Sequence, residues 1–365
     1  MRRLTTVALA LALLPSVAEA VTQPSVRERA APIASVHSHV VRSPRFNLAA
    51  FRWQGSGTLH FRVKDRAGVW GAWRSLDGES AGGEVASSEL WRVVDPIWTG
   101  PAVAIAYRSN GDVRKLRIAF IWSEPQKNAP LRLHLAGAPA IITRTAWGAD
   151  ETIRRHTPTY APALELAIIH HTAGSNSYTK AESAAIVRGI YAYHVRSLGW
   201  NDLGYSFLVD KYGQVFEGRY GGIDRAVIGA HALGFNTGSV GIALIGNYST
   251  AALPQAGRRA LVALLAWRLD VAHLDPLAAV TFSSRGNSRY PKGKQVKLPA
   301  IVGHRDTGPT ECPGTRLYPE LHSIAQEVSA TGGPKLFDPK AGGSIGGPIR
   351  FSARLSASLP WTVTI

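Results

Sequence analysis

Only one cysteine, Cys312, occurs in the 365 residues, so the chain can form no intrachain disulfide. Beyond the N-terminus no window holds the roughly 18 apolar residues that a membrane-spanning helix needs. No HExxH helix is present, which excludes the common zinc-protease arrangement. Zinc-finger, RNA-binding and helix-turn-helix signatures are also missing. Acidic residues are scarce: 25 Asp and Glu stand against 41 Lys and Arg, a formal net charge of +16. Such an excess attracts polyanions, whether nucleic acid, anionic lipid or the phosphate-rich polymers of a bacterial wall.

What is present starts with an export signal. Arg2 and Arg3 precede an apolar run from Val7 to Leu14, and Ala18-Glu19-Ala20 puts small residues at minus three and minus one. This describes a secretory signal peptide over residues 1–20. Cleavage after Ala20 removes two Arg and one Glu, leaving a net charge of +15. Export argues against a nucleic-acid partner and against stable membrane insertion. Apolar residues make up 45% of the chain, with 10 Trp, 11 Tyr and 10 Phe, enough for sizeable cores.

The expected organisation has an all-β, sandwich-like accessory domain followed by a mixed α/β sheet with flanking helices. Residues 21–45 read as a poorly ordered lead. Over 46–122, Leu59, Phe61 and Val63 alternate with polar neighbours, as do Val103, Ile105 and Tyr107, and Leu116, Ile118 and Phe120. Short alternating runs with turn punctuation suggest a β-sandwich. Its tryptophans read as core, and it holds no catalytic cluster. Residues 123–140 form a Pro/Ala/Gly-rich linker. Over 141–330, Leu166-Ala167-Ile168-Ile169 reads as a strand buried on both faces. Helices are expected after the capping-box match Thr179–Glu182, around Leu261–Leu269 and around Leu317–Val328. Residues 331–350 read as a second linker, and 351–365 as the start of a further β segment.

A catalytic zinc needs three protein ligands and one open position. His304 and Cys312 lie eight residues apart around a Gly-Pro turn. His170 ends the buried run and can project from a rigid base. A lone thiol in an exported chain is inert and buried, free by accident or held by a metal, and these neighbours favour the metal.

Seven runs then carry a resemblance. They are Arg144–Ala149 (RTAWGA), Ile168–Gly174 (IIHHTAG), Gly199–Phe207 (GWNDLGYSF), Phe216–Arg219 (FEGR), Gly229–His231 (GAH), Ser239–Ile242 (SVGI), and Gly303–Asp306 (GHRD) with Cys312–Gly314 (CPG). In this order they resemble the amidase domain of the peptidoglycan recognition proteins, a family that includes phage-type zinc lysozymes. The resemblance covers about half of the chain.

The resemblance implies zinc held by His170, His304 and Cys312, with His171 as a packing or second-layer residue. It implies Tyr205 as the catalytic tyrosine and Thr310 as its partner, each able to donate to an oxyanion or to orient water. His231, His171 and Trp200 are the candidates for substrate contact. Family members that lack the Cys ligand are typically receptors, so Cys312 favours an enzyme. The expected function is a secreted, cell-wall-associated zinc N-acetylmuramoyl-L-alanine amidase, monomeric, acting on peptidoglycan muropeptide. A non-catalytic peptidoglycan-binding protein is the alternative, and a peptidase acting inside the stem peptide is a third reading. Asp306 is read either as orienting His304 or as capping a turn, and His194 as core. Asn176 and Asn201 stand where animal members usually have cysteines, which suits a bacterial member. Tyr220-Gly221-Gly222 leaves stem-peptide specificity unread. The basic segment from Ser283 to Lys297 reads as a solvated loop or as a contact for anionic wall polymer.

Overall fold

Leu166–His171 is buried at every position, and the fold follows from covering both faces of this strand. The computed structural model describes residues 21–34, 37–76, 78–80, 91–126, 130–344, 347–358, 360 and 362. The expected signal peptide, residues 1–20, lies outside them.

The N-terminal part contains β1 (Ser25–Ala30), β2 (His39–Gln54), β3 (Thr58–Asp65), β4 (Arg74–Leu76), β5 (Glu79–Ser80), β6 (Trp91–Asn110) and β7 (Arg114–Trp122). These pair into one antiparallel sheet, in the order β1-β7-β2-β6-β3-β4 with β5 also on β6. The expected sandwich of two sheets is thus a single sheet among the described residues. Its two long strands shift register three times between His39 and Gln54. Such bulges bend a sheet and sharpen its twist. One face gathers Phe46, Phe51, Trp53, Phe61, Ile105 and Phe120 into its own core. The expected poorly ordered lead is in fact β1 and the start of β2. Charged residues obscure β1 in the sequence, yet Glu28 takes ion pairs from Arg52 and Arg117 and fastens it to the sheet.

The second part runs β8 (Ile141–Ile142), α1 (Arg144–Trp147), β9 (Leu166–His171), α2 (Ser183–Arg196), β10 (Phe207–Val209), β11 (Val215–Glu217), β12 (Ser239–Leu244) and α3 (Gln255–Val271). It continues with β13 (Ala279–Ser283), β14 (Gln295–Pro299), β15 (Ile301–Gly303), α4 (His304–Thr307) and α5 (Leu321–Ala330). A six-stranded sheet of order β15-β9-β12-β10-β11-β8 forms its centre. It is mixed: β15, β9, β12 and β10 are parallel, and β11 runs antiparallel to β10. The three expected helices are α2, α3 and α5. On one face Ala167, Ile169, Val209 and Ile242 pack against Leu261, Leu264 and Leu265 of α3 and Ile324 and Val328 of α5.

The other face explains α2, which has 13 buried residues among its 14. Ile186, Val187 and Ile190 share a core with Leu208, Phe216 and Ala243 of the mixed sheet. That same core takes Leu48, Ala50, Val93, Trp98 and Ile121 from the N-terminal sheet. The helix therefore lies between two sheets, and alanines at 184, 185 and 192 suit so close a fit. Each buried Leu, Ile or Val contributes about 1.5–3 kcal/mol relative to exposure, so the N-terminal sheet is not a loosely tethered module.

The segment expected as the first linker is tied at several points. Asn47 and Ser123 exchange two hydrogen bonds, Arg188 donates to the Glu124 carbonyl, and Leu133 bridges Ile141. The second expected linker contains a strand, β16 (Leu336–Gly342), which pairs with β17 (Arg350–Leu355). Phe337 is buried, and His273 beyond α3 bonds the backbone of Leu336 and Asp338, so this hairpin docks on the mixed-sheet part. No helix among the described residues is long and apolar enough to cross a membrane.

Candidate metal centre

Period-two alternation sends Ile169 toward α3 and His170 to the opposite face of β9. Strand β15 lies parallel to β9 with Gly303 opposite Ile169, so His304 leaves the sheet beside His170. Both side chains thus sit at the carboxyl ends of neighbouring parallel strands, the usual place for a site in such sheets. Cys312 returns on the turn after α4, where the Cys312–Pro313 peptide is cis. The Arg305 N–H bonds the Cys312 carbonyl at 2.9 Å and clamps that turn to α4.

The three residues expected as ligands converge. One donor atom from each of His170, His304 and Cys312 lies within 4.8 Å of the other two. Their exposures are 1%, 7% and 1%, so the cluster is screened from bulk water. Cys312 Sγ stands 3.8 Å from His170 Nδ1. Tetrahedral zinc at ordinary Zn–N and Zn–S lengths would hold these atoms about 3.6 Å apart. Two imidazoles and a thiolate are also the chemistry of a catalytic zinc site with an open position, so the residues fit the ion. Burial, followed by neighbouring His304, His231 and His171, pushes the His170 pKa well below its usual value. The ring is therefore neutral, as a metal ligand must be.

Second-layer contacts orient these groups. His170 Nε2 lies 3.1 Å from Nδ1 of His231, and the His171 N–H donates to Cys312 Sγ at 3.3 Å. His231 is buried on two glycines. A Cβ at Gly241 or Gly229 would meet its ring at 2.4 or 2.5 Å. The His171 side chain belongs to the other face of β9, where its Nδ1 accepts the Tyr248 N–H. This agrees with a packing role; its ring also borders the cleft described below. Thr310 Oγ1 accepts the Cys312 N–H at 3.0 Å and so braces the turn that carries the thiol. Asp306 holds its own turn. Its carboxylate takes the Gly303 N–H and the Tyr318 hydroxyl, which is the turn-capping alternative.

Tyr205 is half-buried, with its ring centroid 5.3 Å from that of His170. His194 is buried, as expected for a core residue, but it has a polar partner: Nε2 lies 2.9 Å from Oδ1 of Asp95. Trp200 packs at a tilt against His194 with centroids 4.4 Å apart, which places it behind Tyr205 rather than beside the ligands. The other Asp95 oxygen accepts the Tyr205 hydroxyl at 2.8 Å. Asp95 lies on β6, in the sheet read as free of chemistry. The signal for it was a lone acid among Val93, Val94, Ile97 and Trp98, where an unpaired charge would be costly.

The N-terminal sheet also walls the site on its cysteine side. A cleft of about 240 Å³ is lined by His171, Thr310 and Cys312 and, across from them, by Trp53, Thr58 and Arg92. The motif residues Arg144 and Asp202 supply support instead of chemistry. They form a buried ion pair at 3.1 Å, and Arg144 also pairs with Glu151. Burial opposes the Arg144 charge, but Asp202 and Glu151 outweigh it and raise its pKa.

The second part of the chain is similar to known proteins. Residues 160–315 match the N-acetylmuramoyl-L-alanine amidase domain family. The chain is 36% identical over 183 residues to peptidoglycan-recognition protein SC2 of Drosophila melanogaster, covering 50% of this chain and 85% of that protein. It is 35% identical over 187 residues to a peptidoglycan recognition protein of Trichoplusia ni, covering 51% and 88%. A solved human structure, PGRP-IBETAC in complex with glycosamyl muramyl pentapeptide, is 26% identical over 51% of this chain and 96% of its own, with a TM-score of 0.41. By its ordered motifs and its identity to the Drosophila and Trichoplusia proteins, the chain belongs to the peptidoglycan-recognition protein family.

Proposed function

We propose that this protein is a secreted, wall-associated zinc amidase that hydrolyses the lactyl amide between N-acetylmuramic acid and L-alanine. The observation that carries the reading is the convergence of His170, His304 and Cys312 on one buried point. A receptor has no need of a cysteine sulfur and two imidazoles within 4.8 Å of one another. When bound there, zinc supplies a water acidified to a pKa of about 7 and a Lewis acid for the amide carbonyl.

The chain's own groups do the rest. Tyr205 stands beside His170 and is the side chain nearest in role to the reacting amide. Thr310 keeps the Cys312 turn in place and presents a hydroxyl at the cleft. Buried His231 fixes the His170 ring, which makes it a positioning residue more than a substrate contact. The partner is muropeptide, and the excess positive charge favours retention on a polyanionic wall.

Mass spectrometry of purified wall digested with the intact chain tests the reading. Release of whole stem peptides beginning with L-alanine is expected. New amino groups within the stem would instead indicate a peptidase, and muropeptide binding without any release would indicate a receptor.

A further inference from the structure

Asp95 reaches the centre from a different sheet, and its hydrogen bonds have a fixed polarity. An ionised carboxylate only accepts, and a tyrosine hydroxyl has one proton to give. His194 Nδ1 accepts the Gly204 N–H at 3.1 Å, so its ring proton sits on Nε2 and points at Asp95 Oδ1. Oδ2 then takes the proton of Tyr205 at 2.8 Å. With its proton so committed, Tyr205, whose ring lies against that of His170, presents its hydroxyl as an acceptor. The strand that carries Asp95 is held by buried Val93, Val94, Ile97 and Trp98, and its side chain is only 11% exposed.

We propose that Asp95 of the N-terminal sheet is a positioning residue for Tyr205, turning that hydroxyl into a hydrogen-bond acceptor at the metal centre. This rests on the amidase reading. The acceptor suits a proton of the attacking water or of the scissile amide N–H, whereas an oxyanion would need a donor and would find none in Tyr205. The N-terminal sheet is then part of the catalytic apparatus, beyond any anchoring role.

A double-mutant cycle on the full-length, zinc-loaded chain tests this, using Asp95→Ala, Tyr205→Phe and the double variant. Asp95→Asn keeps the side chain's shape, yet its one carbonyl oxygen cannot accept from both His194 and Tyr205, so it guards against loss of fold. With a soluble muropeptide, Asp95→Ala and Asp95→Asn should each lower kcat by about 10- to 100-fold, the size of a lost hydrogen bond to a charged group, with KM within about twofold. Neither should lower kcat further in the Tyr205→Phe background. Equal losses in both backgrounds would overturn the proposal, and so would a rise in kcat, which would mark Asp95 as a latch. The unfolding equilibrium constants from urea denaturation need no activity. There the two substitutions should be coupled by about tenfold, and independent effects would sink the pairing. An inactive wild type would defeat the amidase reading alone, since the unfolding cycle still decides whether Asp95 holds Tyr205.

Discussion

His170 and His231 meet edge to face at 3.1 Å, Nε2 to Nδ1, with His231 seated on the bare backbones of Gly229 and Gly241. One metal-facing ring is thereby aimed by another that has no room to move. Gly241→Ala should displace His231, and His231→Ala should remove it. Either is expected to weaken zinc binding about 10- to 100-fold, the usual size of a second-layer effect. Competition against a chromophoric chelator checks this, with circular dichroism to establish that the fold is kept.

If the proposed zinc is bound, Cys312 should couple it to stability. Binding confined to the folded state stabilises it by mass action, so a strong chelator should lower the Tm of the wild type. Cys312→Ser should purify with little zinc, release no stem peptide and show almost no further Tm change with chelator. Differential scanning calorimetry with and without chelator separates these cases.

Leu48 and Gly189 test whether the N-terminal sheet and α2 share one core. Leu48 is fully buried, and a Cβ at Gly189 would lie 2.9 Å from its Cδ1. Leu48→Ala should cost about 2–5 kcal/mol. Gly189→Ala alone should destabilise by about 1–3 kcal/mol through overpacking. In the Leu48→Ala background the same change should become neutral or stabilising, because alanine is preferred to glycine in a helix by about 1 kcal/mol. Urea titrations of the four proteins report the change of sign.

Asp202 and Arg144 join two of the family runs through a buried charge pair. Asp202→Asn would leave the guanidinium partly uncompensated and should cost about 3–5 kcal/mol. The carboxylate also accepts the Leu203 and Tyr220 N–H groups, so the loop bearing Tyr205 should loosen with it. Hydrogen exchange over residues 199–220 would register that change.

The candidate ligands were legible because chemistry restricts them. A lone cysteine in a chain read as exported, a histidine eight residues before it and another at the end of a buried run leave few other arrangements. The strands and helices of the second part were legible from Ile168-Ile169 and from the leucine spacing in α3. Asp95 was not, since its partners lie 99 and 110 residues away, on α2 and in the loop before β10. Strand β6 read as a short strand near Val103 because Pro96, Gly100 and Pro101 resemble turn punctuation, yet bulges accommodate them within 20 residues of strand. Strand β1 was hidden by its charges, and the two readings of Asp306 could be separated only once Gly303 and Tyr318 had been placed against it.

X-ray absorption at the zinc edge, on the purified full-length chain, bears most directly on the central claim. The account predicts about one zinc per chain with one sulfur near 2.3 Å and two imidazole nitrogens near 2.0–2.1 Å, the sulfur shell vanishing in Cys312→Ser. A chain that takes up no zinc, or binds it through oxygen and nitrogen alone, would contradict the account.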